Sequence, residues 1–279
     1  MNMDKASDNV VSTSKILINC SERITDQNPT TDGWLDGISY LKTIPFTKAS
    51  MSHKKILEGI LNKSRSVVVK VSDNTENLLK EYDTYLQLRD KKVNGIVHYY
   101  CYFECEDSLG TVAETLRNGK TLCQGVGSTL RVLVMEYIPN KSMAQFNWSS
   151  YQKAILTSIK QVVCTCVDAF IKFGFIHGDL HCNNILIKRS KTSEIDYEFT
   201  KVKTNGIKIF LMDFELSETG KDITYFYKHM YYVFWNSITK YFRDHLDPHY
   251  MLQVQINLLK LYETAIKPED ALKFIDIIG

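Results

Sequence analysis

Phe175-Ile176-His177-Gly178-Asp179-Leu180-His181-Cys182-Asn183-Asn184-Ile185-Leu186-Ile187 is the stretch whose reading decides the fold. An apolar lead-in presents a histidine, an aspartate and an asparagine at fixed spacing, then runs straight into an aliphatic strand pattern. A second acid stands at the end of another apolar run, Ile209-Phe210-Leu211-Met212-Asp213-Phe214-Glu215. Any long chain contains a stray H-x-D or D-F pair. Here three polar residues stand between two strand-like runs and a further acid closes a third, which chance does not readily supply. Carboxylate and amide oxygens are hard donors of the kind a magnesium ion takes.

His177, Asp179, Leu180 and Asn184 fall where the pattern H-R-D-L-x-x-x-N puts its fixed residues, with Gly178 in place of Arg. Asp213-Phe214-Glu215 occupies the place of D-F-G. The pair of motifs resembles the protein-kinase-like superfamily. The variant H-G-D-L-H-x-x-N with D-F-E is also similar to aminoglycoside phosphotransferases and choline kinases. The resemblance implies ATP- and Mg²⁺-dependent phosphoryl transfer, in which positioning and charge neutralisation carry the rate. It gives Asp179 the role of base toward an acceptor hydroxyl, and Asn184 and Asp213 the roles of metal and nucleotide ligands. His177 is expected to pack and hydrogen-bond within the loop. His181 stands where protein kinases carry Lys; it either touches the transferred phosphate or caps the loop. Gly178 removes the arginine that grips a phosphorylated activation loop, so activity independent of that modification is expected.

Upstream, the β-branched run Arg65-Ser66-Val67-Val68-Val69-Lys70-Val71 predicts a strand. By resemblance, Lys70 is the V-A-I-K lysine that reaches the α- and β-phosphates. A helix is expected over 75–89, capped by Asp73 or Asn74, with Leu78, Leu79, Tyr82, Tyr85, Leu86 and Leu88 as its apolar face. Glu81 flanks that face and matches the glutamate that holds the strand lysine; Glu76 is the competing candidate. Residues 130–137 read as a strand that Pro139 ends. Met135 falls at the gatekeeper position, and Glu136, Tyr137 and Ile138 at the connector whose backbone groups bind adenine. No G-x-G-x-x-G is present: Gly33 and Gly37 are the only glycines before Gly59. The apolar spacing of 51–62 suits helix and strand equally.

The fold class expected is α+β: a bilobal protein-kinase-like fold with a β-rich N-lobe carrying one long helix, and a truncated, mainly helical C-lobe. The boundaries read are a flexible tail over 1–15, an N-lobe over 16–138 and a C-lobe over 139–279. In the latter, a helix over 151–173 ends at Gly174, and strands over 184–187 and 206–211 pair across a solvated insert, 189–205. An aromatic core helix over 224–242 and short helices over 252–262 and 268–278 complete it. Neither an A-P-E segment nor a long C-terminal lobe follows.

With 279 residues, 44% hydrophobic and 24% charged, the chain can bury a core. A net charge of +2 offers no bulk attraction for nucleic acid or an anionic membrane. No apolar run approaches the ~18 residues of a membrane span, and the polar start does not read as a signal peptide. Seven cysteines without a paired framework favour reduced thiols in a cytoplasmic setting, and a monomer is expected. Cys164 and Cys166 lie two apart on one helix and so face different ways, which argues against a metal pair. The acceptor expected is a protein Ser/Thr. The alternatives are a small-molecule kinase, favoured by Glu215 and His181, and a catalytically inactive pseudokinase scaffold, favoured by the missing glycine-rich loop.

Overall fold

Alternation in one strand organises the first part of the structure: Val67, Val69 and Val71 are all buried on one side of their strand. The computed structural model describes residues 16–20, 38–43, 54–61, 65–72, 77–105, 130–139 and 141–278. The tail 1–15, Gly33 and Gly37, the Asp73/Asn74 cap, Glu76 and the excursion over 106–129 lie outside the described residues. Cα packing groups Met1–Thr75 with Tyr100–Val134 as one compact unit and Glu76–Tyr99 with Met135–Gly279 as a second.

The strands of the first sheet are β1 (Ile16–Cys20), β2 (Ile38–Thr43), β3 (Lys54–Leu61), β4 (Arg65–Ser72), β5 (Tyr99–Cys105) and β6 (Leu130–Glu136). Their order is β1-β5-β6-β4-β3-β2. Antiparallel pairing of β3 with β4 runs from Lys54 opposite Ser72 to Leu61 opposite Arg65, so the described part of that ambiguous stretch, 54–61, is strand. In the described residues β5 begins at Tyr99, although the apolar run starts at Ile96. Gly95 and Val97 instead exchange backbone bonds with Leu211, which takes them out of the β5 ladder.

In the second unit, α1 (Asn77–Asp90) buries Leu78, Glu81, Tyr82, Thr84, Tyr85 and Leu88. Leu79 is exposed, contrary to the expected face, and Glu81 lies inside that face rather than beside it. Helix α2 (Gln152–Phe173) is buried on every side from Gln161 to Phe170, a wider face than its period suggests. By length and apolar composition α2 could cross a bilayer, so the expectation that no segment approaches a span needs correction. Some 78% of its apolar window is covered by the protein itself, as in a core helix. Gly174 caps it in the left-handed conformation, its N–H donating to Phe170 O. Cys164 and Cys166 are both buried free thiols.

Strands β7 (Ile185–Arg189) and β10 (Ile207–Leu211) pair antiparallel, and between them β8 (Glu194–Tyr197) and β9 (Thr200–Lys203) form a hairpin. That insert is not simply solvated. Tyr197 and Val202 are buried, and the Tyr197 hydroxyl donates to Gln161 O of α2. Gln161 in turn serves β10 at two points: its Nε2 donates to Ile207 O (2.9 Å) and its Oε1 accepts from Ile209 N (3.1 Å). The aromatic segment becomes α3 (Ile223–His229), a π-helical stretch (Met230–Trp235) and α4 (Asn236–Phe242). Phe226, Tyr227, Phe234, Trp235 and Phe242 form core, while Tyr225, Tyr232 and Tyr241 remain exposed. Helices α5 (Pro248–Thr264) and α6 (Lys273–Ile278) close the described chain. The mixture of helix and sheet is α+β.

Candidate active site

Register along β7 and β10 brings the two motifs together. Ile185 pairs with Leu211, so Asn184 and Asp213 leave the ribbon at the same end. Met212 N–H donates to Asn184 O at 3.1 Å, fixing that juxtaposition through backbone. On its outer sides the ribbon is flanked by the 141–143 segment, where Met143 N–H donates to Ile185 O (2.7 Å), and by Gly95–Val97 bonded to Leu211. Both sequence motifs thus sit on the ends of held strands, which is how a short loop can be placed accurately.

Asp179 is partly exposed, with a side chain 41% accessible. Asn184 Nδ2 donates to both Asp179 O (2.9 Å) and Asp179 Oδ2 (3.2 Å). Among the described residues, Asn184 Oδ1 accepts no hydrogen bond, so the amide turns its donor to Asp179 and keeps an oxygen for another partner. His181 Nε2 stands 3.5 Å from Asp179 Oδ2. A 3₁₀ turn, Cys182–Asn184, carries the loop into β7, and Cys182 N–H donates to Ser237 Oγ of α4 at 2.8 Å.

His177 is buried, and its Nε2–H donates to Met212 O at 2.9 Å. Burial pushes its pKa below the ordinary imidazole value, against the opposing pull of Asp213, the Met212 bond and Asp179. Its ring lies 5.5 Å from that of Phe214. A neutral, packed ring that ties the first motif to the second is a structural part, as its place in the loop suggested.

Gly178 explains the missing arginine. Its φ is +81°, and a Cβ there would stand 1.9 Å from Leu216 O. The chain after D-F-E crosses where a side chain would begin. That chain is stitched to the loop: Ser217 Oγ donates to His177 O (3.0 Å), and Ile176 and Glu218 exchange two backbone bonds of 2.8 Å. Gly220 and Lys221 donate to Phe173 O and Gly174 O, and Asp222 caps α3.

Asp213 itself adopts φ 67°, ψ 66°, a left-handed conformation uncommon for a residue with a side chain. Its carboxylate lies with those of Glu81 and Glu215 such that one oxygen from each falls within 4.8 Å of the others. Asn77 Nδ2 donates to Glu215 Oε1 at 2.6 Å, so the first residue of α1 grips the residue that replaces Gly of D-F-G. Tyr99, whose hydroxyl donates to Glu81 Oε1 at 2.7 Å, also receives Asp213 N–H at 3.3 Å. Glu81, Asp213 and Glu215 are thus brought together; Asp179 and Asn184 form a second group joined to them through Met212.

Lys70 is a buried residue of β4 in the first unit. Met135 and Ile138 are buried, while Glu136 and Tyr137 are half-buried. Glu136 N–H donates to His98 O (2.8 Å) and its carboxylate pairs with Lys188 (2.9 Å), so the amides left for a ligand in this segment are those of Tyr137 and Ile138. The sequence reading passed over Tyr99, Asn77, Ser217 and Ser237. Each acts through one hydroxyl or amide placed by tertiary packing, and no spacing rule marks such a group.

The donor set fits a magnesium ion: an amide oxygen and a carboxylate leave one end of the ribbon, with further carboxylates beside them. Residues 126–244 match the family model of the ABC1 atypical kinase-like domain. The matched region contains both H-G-D-L-H-C-N-N and D-F-E, and the resemblance to the protein-kinase-like superfamily holds there as that of an atypical kinase. Lys70 and Glu81 fall outside the match. No curated protein matches the chain.

Proposed function

We propose that the chain is an ATP- and Mg²⁺-dependent phosphotransferase that moves the γ-phosphoryl group to an acceptor hydroxyl. One observation carries the reading. Asn184 spends its amide hydrogens on Asp179 and leaves the ribbon beside Asp213, so a base and two metal-ligand candidates share one end of β7 and β10. Bound Mg-ATP supplies the phosphoryl group and neutralises charge on its oxygens. The rest falls to this chain. The Asp179 carboxylate, held by Asn184 and open to solvent, receives the proton of the acceptor hydroxyl. Asn184 Oδ1 and the Asp213 carboxylate take the metal. Lys70 keeps the phosphate contact its strand position implies, Glu81 the role of orienting it, and the Met135–Ile138 segment the adenine contact. All these assignments are proposals.

For the acceptor we put a protein serine or threonine first, because no insert for a small-molecule pocket interrupts the described helices after Glu215. A second reading, a small hydroxyl compound, is favoured by the stitched segment after D-F-E. With its backbone committed to residues 173–178, that segment offers no free edge to an extended peptide. Incubation with γ-labelled ATP and Mg²⁺, beside generic protein substrates and a panel of amino alcohols and aminoglycosides, separates them. Label on Ser or Thr supports the first, label on a small molecule replaces it with the second. Nucleotide binding without transfer to any acceptor supports an inactive scaffold instead.

A further inference from the structure

Tyr99 is completely buried, and its hydroxyl meets the acidic group. The ring stacks on Tyr85 at 4.8 Å and 20°, and stands 5.8 Å from the ring of Phe214. Packing therefore fixes the phenol from two sides, and its oxygen has little freedom to choose partners. It donates to Glu81 Oε1 at 2.7 Å and accepts from the backbone of Asp213 at 3.3 Å. A charge-assisted bond to a carboxylate is stronger than a neutral one.

The second partner is where the interest lies. Asp213 stands at φ 67°, ψ 66°, a conformation that is costly for a residue with a side chain and persists only when its surroundings hold it. The backbone N–H of that residue points at the Tyr99 oxygen. One atom thus joins the strained backbone of Asp213 to a carboxylate on α1. We propose that the Tyr99 hydroxyl is a positioning group for the metal-binding carboxylate of Asp213, locking its left-handed backbone to Glu81 of α1. This rests on the phosphotransferase reading above.

Tyr99→Phe removes the oxygen and keeps the ring, so the stack with Tyr85 and Phe214 survives. The control is Tyr85→Phe. It deletes a hydroxyl from the same stack, one that shares a 2.7 Å hydrogen bond with His98 Nδ1. Groups that orient metal ligands typically contribute 10–100-fold to metal affinity or activity. Tyr99→Phe is therefore expected to raise the Mg²⁺ needed for half-maximal ADP binding, by calorimetry, about 10-fold or more. It should lower kcat by a similar factor, leave the acceptor KM unchanged, and barely move the melting temperature. In the unliganded protein, amide exchange of the peptide covering 209–216 should accelerate while other peptides keep the wild-type rate. Tyr85→Phe should match wild type in Mg²⁺ dependence and in exchange over 209–216.

Wild-type Mg²⁺ dependence together with unchanged exchange in Tyr99→Phe overturns the proposal. So does an equal loss in both variants that simply follows their melting temperatures, since that is a packing effect. Should Tyr99→Phe fail to fold, exchange in wild type still decides. A protected Asp213 amide in the unliganded state supports the bridge, and an amide exchanging at the rate of an open loop refutes it. A wild type that binds no Mg-nucleotide defeats the phosphotransferase reading instead, a result the unliganded exchange measurement does not depend on.

Discussion

Gly178→Ala puts one methyl group into the closest approach in the candidate site. The added Cβ would stand 1.9 Å from Leu216 O, against 3.4 Å or more in ordinary contact, so two backbone segments must separate by about 1.5 Å. Neither can yield cheaply. Ser217 Oγ bonds to His177 O, and Ile176 and Glu218 hold each other by two backbone bonds. A displacement of that size forfeits at least two of these, each worth about 0.5–1.5 kcal/mol. The positive φ of 81° adds about 1–2 kcal/mol for any residue with a side chain. The total is about 2–5 kcal/mol, which for a chain of this size lowers the melting temperature on the order of 10 °C. Gly220 provides the control. It also has a positive φ, +68°, but a Cβ there meets nothing within 4 Å. Gly220→Ala should therefore show the conformational cost alone, about 1–2 kcal/mol. Thermal melts followed by circular dichroism compare the two, and turnover should be lost in Gly178→Ala because the Asp179 loop has shifted. Equal melting temperatures for the two variants would refute the argument, since they would show that Leu216 does not press on the loop.

Three further outcomes follow from the same geometry. Asp213→Asn should weaken Mg²⁺-dependent nucleotide binding and abolish turnover, whereas Asp179→Asn should bind nearly normally while turnover falls about 10²–10⁴-fold; loss of binding in both, by calorimetry, contradicts the division of roles. Gln161→Leu strands Ile207 O and Ile209 N–H in the core, and at about 1–3 kcal/mol for each orphaned group should cost about 2–6 kcal/mol in urea unfolding; a loss under 1 kcal/mol would mean water replaces the amide. Burial, with His177 nearby and Glu218 opposing, pushes the His229 pKa down to about 4. The unfolded chain therefore takes up a proton near pH 6.5 that the folded chain refuses until about pH 4, so stability is full above 6.5 and falls through that window by roughly 3 kcal/mol. His229→Gln should flatten that acid limb by about one proton, and an unchanged slope of urea midpoint against pH would show that His229 does not drive it.

What could be read from the sequence was what a period or a fixed spacing encodes. The β-branched run of β4, the helix ended by Gly174 and the pairing of β7 with β10 each repeat one signal over several residues. The structure returns them almost unchanged. The spacing of His177, Asp179 and Asn184 was legible because one short loop must present all three. What escaped has a different physical origin. The period places Leu79 on the buried face of α1, yet Leu79 is exposed and Glu81 is buried, its carboxylate met by Tyr99 from elsewhere in the chain. A buried carboxylate is excluded by hydrophobic patterning until its partner is known, and partners lie far off in sequence. Residues 189–205 read as solvated because they are charged, but the core reaches them through Tyr197, whose hydroxyl finds Gln161 O. The π-helical turn at Met230–Trp235 has no sequence period of its own. Gly178 is the instructive case. In sequence it is an arginine that went missing; in the structure it is a space occupied by Leu216 O. The residue that would answer a phosphorylated loop has been exchanged for backbone contact with the segment after D-F-E. Control of this site by phosphorylation there would require breaking the Ser217–His177 and Ile176–Glu218 bonds first, and the same bonds hold Asp179 in its working position.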